Sequence, residues 1–428
     1  MNANLLAHGV GRIYELPIPL EYYLTGAALA VIASFLVTGF LSRRSSERSP
    51  RMLAGERPAA LLARVVRFAI WAGFLLALVT GATDNATGFG FAAIWLWVGL
   101  VVGLTALNVV LGGLWSLADP WLPLAGFWGA DGARERGLDR FAGPVLVYAL
   151  FWFELASGEG FTVSLITPVL VAYCFYAVWV RVNYVEWAQM DPFAILHRFA
   201  SRASLLRVTE DGVFLRSPGA EPDDRKPMSP ALYAALFLLL GATSLDNLRE
   251  THGWESLREA VGAGVPQMLY DTVALALLAL PFLVTFKLAV LPARRHLEGS
   301  PQQTARTLAW SLAPIAVAYV LAHNVSLFLV TLPVWFVTLS DPLSLGWNLL
   351  GLGNVLPGFA PSPALVWFLE VALVVGGHIM AVVMGHRIAQ GLSPTGRSPL
   401  AGQIPMTILM SLYTVGTLWL LSLAVVSG

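Results

Sequence analysis

Long apolar runs separated by short polar stretches dominate the chain. The runs fall at about 23–41, 61–80, 91–111, 143–157, 163–180, 231–245, 271–290, 307–331, 364–389 and 404–426. A helix needs ~20 apolar residues to cross a bilayer, and most of these runs reach or approach that length. The pattern predicts an all-α fold: a polytopic transmembrane helical bundle of about ten spans, forming a single integral membrane domain over residues 1–428. Pro17 and Pro19 precede the first run and predict an extended or kinked approach to it.

The longest polar stretch, 181–230, interrupts this rhythm. Asp191-Pro192 predicts the start of an amphipathic helix, with Phe193, Leu196, Phe199 and Ala200 on one face and His197, Arg198 and Arg202 beside it. Such a helix would lie in the membrane interface, with His197 and Arg198 meeting anionic headgroups. Asp211-Gly212 between apolar residues is a hairpin signature. Trp115 and Trp121 flank a second segment that reads as interfacial.

Composition agrees with a membrane setting. The chain is 57% hydrophobic and 12% charged, against ~25% charged for soluble domains, and its mean hydropathy is +0.69. The net charge of zero offers no field for nucleic acid, so the lipid bilayer is the expected partner. Cys174 is the single cysteine, which excludes an intrachain disulfide and a zinc site built from several cysteines. A basic stretch follows the first apolar run with no small-residue cleavage site, so that run reads as an uncleaved span. Of the 26 basic residues, all but Arg12, Arg249 and Arg258 fall on one side, in the loops after odd-numbered spans or at the adjoining span ends. The positive-inside rule then places those loops in the cytoplasm and both termini outside an inner membrane.

Within the runs, the ionisable residues carry the candidate chemistry, because an intramembrane polar group must face protein or water. Run 307–331 holds Tyr319, His323 and Ser326 at spacings that put them on one helical face. Run 364–389 holds Glu370, His378 and His386, with Gly377, Ala381 and Gly385 forming a small-residue stripe suited to close helix approach. Taking the middle of the first run near Tyr319 and of the second near Gly377, the depths of His323 and His378 differ by ~6 Å. Glu154 sits in the outer half of the fourth run, and Asp84 and Asp246 mark outer helix ends.

One reading is a secondary transporter of a small solute or ion, with Glu154, Asp246, Tyr319, His323 and His378 as its substrate or ion site. His8, Asp84, Glu370 and His386 are further candidates. Carboxylates and imidazoles in series suit proton-coupled carriage. A second reading is a redox subunit using haem b, with His323 and His378 as axial ligands, or a quinone partner. A metal site on the same histidines is a third, without a His-Glu-x-x-His motif to support it. The plain alternative is a structural subunit of a larger complex, its polar residues forming interhelical hydrogen bonds. No P-loop is present, so nothing points to ATP hydrolysis. The Trp- and Gly-rich loop 340–363 would be a lid, a docking surface for a membrane-complex partner, or an interfacial anchor.

The string His8-Gly9-Val10-Gly11 with Leu16-Pro17-Ile18-Pro19 resembles a family of polytopic membrane proteins of actinobacteria and halophilic archaea. Asp191-Pro192-Phe193, Ala322-His323, Ser340-Asp341-Pro342 and Gly377-His378 extend the resemblance along the chain. It implies the fold and the membrane setting and carries no activity. A faint internal similarity, Thr80-Gly81-Ala82-Thr83-Asp84-Asn85 against Gly241-Ala242-Thr243-Ser244-Leu245-Asp246-Asn247, would fit two parallel four-span halves.

Overall fold

A computed structural model describes residues 18–41, 50–83, 90–127, 141–158, 160, 162–184, 186–219, 222–249, 251–262, 264–293, 295–341, 345–351, 361–393 and 400–426. Among them the chain is the expected helical bundle, with nine helices long and apolar enough to cross a membrane. In order the helices are α1 (Leu20–Leu41), α2 (Glu56–Thr83), α3 (Phe91–Val110), α4 (Ala142–Leu155), α5 (Val163–Asn183) and α6 (Pro192–Ala203). Then come α7 (Pro230–Arg249), α8 (His252–Gly262), α9 (Gln267–Ala293), α10 (Pro301–His323), α11 (Val325–Ser340), α12 (Pro363–Gly391) and α13 (Leu400–Val426). Starts are set by local chemistry. Ser300 and Gln303 form a capping box ahead of α10, and Asp191 accepts from the Phe193 and Ala194 amides at the head of α6.

Helices α3, α7 and α10 are buried on nearly every side and form the centre. Around them α1, α2, α5 and α9 turn large apolar side chains outward, Phe68 and Phe175 being the most exposed. In a bilayer that outer surface faces lipid at no cost.

A small four-stranded sheet closes one end. Its strands are β1 (Arg51–Ala54), β2 (Leu111–Gly112), β3 (Leu206–Thr209) and β4 (Gly212–Leu215), in the order β1-β4-β3-β2. The hairpin expected at Asp211-Gly212 is β3–β4, and β1 and β2 arrive from the connections after α1 and α3. The connections after α9 and α12 join the same end, where the Glu298 amide donates to Leu392 O at 2.8 Å and Arg387 donates to Pro218 O at 3.0 Å. All five basic connections therefore share one face, as the charge split requires.

Several expectations need correction. The fourth predicted span is the 14-residue α4, ~21 Å long and shorter than a hydrocarbon core of ~30 Å. The eighth predicted span is two helices. Its first part ends at His323, Asn324 leaves helical geometry at φ −92° and ψ 6°, and α11 begins at Val325. Ser326 therefore belongs to α11 and does not share a helical face with Tyr319 and His323. Because α10 starts at Pro301, its middle lies near residue 312, and His323 stands at its end. Helix α6 is no interfacial helix: residues Pro192 to His197, Phe199 and Ala200 are buried, packed against α3, α4 and α10. His197 lies in this core, its ring 4.7 Å from that of Trp115. Trp115 and Trp121 are likewise buried, in an aromatic cluster with Phe74, Tyr173 and Phe193. Amphipathicity showed an apolar face without showing that protein would cover it.

Candidate functional site

The site forms where α7 and α10 end, at the opposite end from the sheet. Asp246, Asn247 and Arg249 lie in the last turn of α7, and Tyr319 and His323 in the last turns of α10. His323 Nε2 is paired with Asp246 Oδ2. His323 Nδ1 donates to Asn247 Oδ1 at 3.2 Å. The Asn247 amide donates to Tyr319 Oη at 3.0 Å and to Thr243 O at 2.9 Å, and Ser244 is a further partner of Tyr319. These bonds fix the orientation of the amide, so Nδ1 of His323 must carry a hydrogen.

Two more carboxylates bear on this chain. Glu154, at the end of α4, lies within electrostatic reach of Asp246, His323 and Arg249. Glu370 on α12 is buried and lies within electrostatic reach of His323. Arg249 reaches sideways to Asp271 on α9, Nε to Oδ2 at 3.5 Å. A cavity of about 380 Å³ adjoins the cluster, lined by Asp246, Arg249, His252, Trp254, Glu255 and Arg258 among others. Asp246 belongs to both cavity and cluster.

Of the predicted site residues, the structure brings together Glu154, Asp246, Tyr319 and His323, with Glu370 from the further candidates. His378 is not among the residues lining the cavity. Gly377, beside it, sits against Ala318 and Pro314 of α10, so His378 lies ~10 Å below His323 along the helices. Its Nδ1 donates to Val374 O at 2.8 Å, and its buried Nε2 has no hydrogen-bond partner among the described residues. His386 is further still, bonded to Gln403 at 2.9 Å beside a cavity of about 20 Å³, room for a single water. His8 and Asp84 lie outside the described residues, as does much of loop 340–363.

Asn247, Arg249 and Asp271 were missed as site residues. Arg249 and Arg258 carried a signal: they are two of the three basic residues outside the basic loops, and both line the cavity.

The fit of haem b can be tested directly. A ring held between His323 and His378 would need open nitrogens on both and space between α10 and α12. Both His323 nitrogens are engaged. At Gly377 the helices are so close that a Cβ would lie 2.3 Å from Ala318 Cβ. These residues do not fit a haem. Among the described residues no three His, Cys, Asp or Glu side chains converge as a metal site requires.

In comparisons with known proteins, no family model, curated protein or solved structure matches this chain.

Proposed function

We propose that the protein is a secondary transporter of the inner membrane that couples movement of a small polar solute to protons. Its basic end lies in the cytoplasm and both termini lie outside. The observation that carries this reading is the double role of Asp246, which lines the outer cavity and pairs with His323. With Nδ1–H pinned by Asn247, the Asp246–His323 contact needs one proton between Oδ2 and Nε2, since a carboxylate facing an imidazole lone pair would be repulsive. Losing that proton breaks the contact, and gaining it closes the α7–α10 seam, which couples protonation to helix packing.

The cavity has the volume of a small-molecule site. Its lining balances Asp246 and Glu255 against Arg249 and Arg258, which suits a small polar solute that bears charge. Glu154 and Glu370, on the flanks at about the depth of His323, are further proton acceptors beside the pair.

The test uses purified protein in liposomes loaded with a pH dye, challenged with amino acids, small carboxylates and inorganic cations. At least one solute should drive a change in internal pH that Asp246→Asn and His323→Gln abolish while both variants remain folded and inserted. If no solute moves protons, or the variants match the wild type, the transport reading falls and a structural subunit is the better account.

A further inference from the structure

The sheet end holds a second cavity, of about 420 Å³, that the transport reading does not use. Four arginines line it. Arg198 and Arg202 come from one face of α6, Arg207 from β3, and Arg216 from just after β4. Ser201 and Glu210 share the lining.

The arginines are held in place. Asp224, fully buried, pairs with Arg202 and, at 3.0 Å, with Arg216. The Arg216 side chain is itself only 5% exposed. Arg202 and Arg198 lie over the ring of Trp310, 4.4 and 5.8 Å from its centroid. Asp224 anchors Arg202 and Arg216, and Glu210 is the carboxylate among the lining residues. Guanidinium groups held in position, as those of Arg202 and Arg216 are by Asp224, match the planar, bidentate recognition of phosphate oxygens better than a mobile lysine patch. Ser201 Oγ already accepts from the Gly113 amide at 2.9 Å, which ties the α3–β2 corner to the floor of the cavity.

We infer that this cavity binds a phosphate group, presented either by a free phosphate or by the headgroup of an anionic lipid at the same membrane face. The thermal unfolding midpoint of the full chain in phosphatidylcholine nanodiscs would be followed against inorganic phosphate, with chloride at matched ionic strength as control. A second series would replace part of the lipid with phosphatidylglycerol. A ligand that binds only the folded state raises the midpoint saturably. Arg207→Gln removes a charge that does not touch Asp224, and should weaken binding about tenfold or more. Glu210→Gln removes the lining carboxylate and should strengthen binding, a gain that a purely structural role would not produce.

A phosphate effect in phosphatidylcholine discs identifies a free phosphate as ligand. An effect confined to phosphatidylglycerol discs identifies the lipid. No effect in either series, or one that neither Arg207→Gln nor Glu210→Gln alters, overturns the site.

Discussion

The Nδ1–H of His323, the last residue of α10, is donated to the Asn247 amide oxygen on α7 at 3.2 Å, and Asn247 in turn donates to Tyr319. One buried amide thus sets the tautomer of the imidazole that meets Asp246. It also ties together the two helices whose ends frame the cavity.

Replacing that amide should therefore act on both stability and tautomer. Asn247→Leu strands the His323 Nδ1–H and removes the donor to Tyr319. A buried polar group left unsatisfied costs ~1–3 kcal/mol, so a fall of that size is expected in detergent unfolding. The nitrogen resonances of His323 should lose the signature of a single pinned tautomer. A variant with wild-type stability and an unchanged tautomer would show that Asn247 does not organise the site.

Gly377 tests the α10–α12 seam, and its neighbour supplies the control. A Cβ at Gly377 would lie 2.3 Å from Ala318 Cβ and 2.9 Å from Pro314 O, whereas one at Gly376 meets nothing within 4 Å. Gly377→Ala should destabilise by ~1–3 kcal/mol, the usual cost of overpacking. Gly376→Ala should be neutral or slightly stabilising through helix propensity. Equal unfolding midpoints for the two variants would mean that the helices are not in close contact there.

The Gly377, Ala381 and Gly385 stripe was legible from spacing alone, because a helix repeats its faces at fixed intervals. The same reasoning found Glu154, Asp246, Tyr319 and His323, since a polar residue in an apolar run needs a protein partner wherever it lies. The break after His323 was not legible: Val325 to Val330 continue the apolar run, and hydropathy does not register a helix that stops and restarts at Asn324. Asn247 was visible but read as an ordinary helix end, because only the partner helix reveals what its amide holds. Nor could the sequence show that α6 is covered. A one-sided helix looks alike whether lipid or protein packs against it.

The burial of α6 has a pH signature. His197, fully buried and far from water, has its pKa pushed down from 6.5 to about 3 by desolvation. The unfolded chain then takes up a proton that the folded chain refuses. Its contribution to stability is full above 6.5 and declines as pH falls toward 3, by up to ~1.4 kcal/mol per pH unit. Asp191, at the head of the same helix, works oppositely. Burial raises its pKa from 3.8 to about 6, so its contribution is present below 3.8 and lost as pH rises through 6. The contributions of the two offset each other between 3.8 and 6. His197→Gln should expose the Asp191 slope, so that the variant loses stability relative to the wild type as pH rises from about 4 to 6. Parallel pH curves for wild type and variant, measured by denaturant unfolding in detergent, would place His197 in contact with water.

Sidedness can be read with two thiols in a Cys174→Ser background. The sheet joins the connections after α1, α3 and α5 at one face, and the Glu298–Leu392 and Arg387–Pro218 bonds add those after α9 and α12. That face holds nearly all the positive charge and should lie in the cytoplasm. Its probe must not disturb packing. Gly219 is unsuitable, with φ at +80° and Met384 backbone atoms within 3 Å of a Cβ, whereas Asp211 sits exposed in the β3–β4 turn. The opposite face is best probed on α8, where Val261 is exposed and apolar. In intact cells an impermeant maleimide should label Val261→Cys and spare Asp211→Cys until the membrane is opened. Arg249 and Arg258 do not weaken this expectation, because Arg249 is held by Asp271 and both arginines line the Asp246 cavity, so each has a local reason to sit on the positive-poor face. The reverse labelling pattern would invert the protein, turn the Asp246 cavity toward the cytoplasm and place the arginine-lined cavity outside.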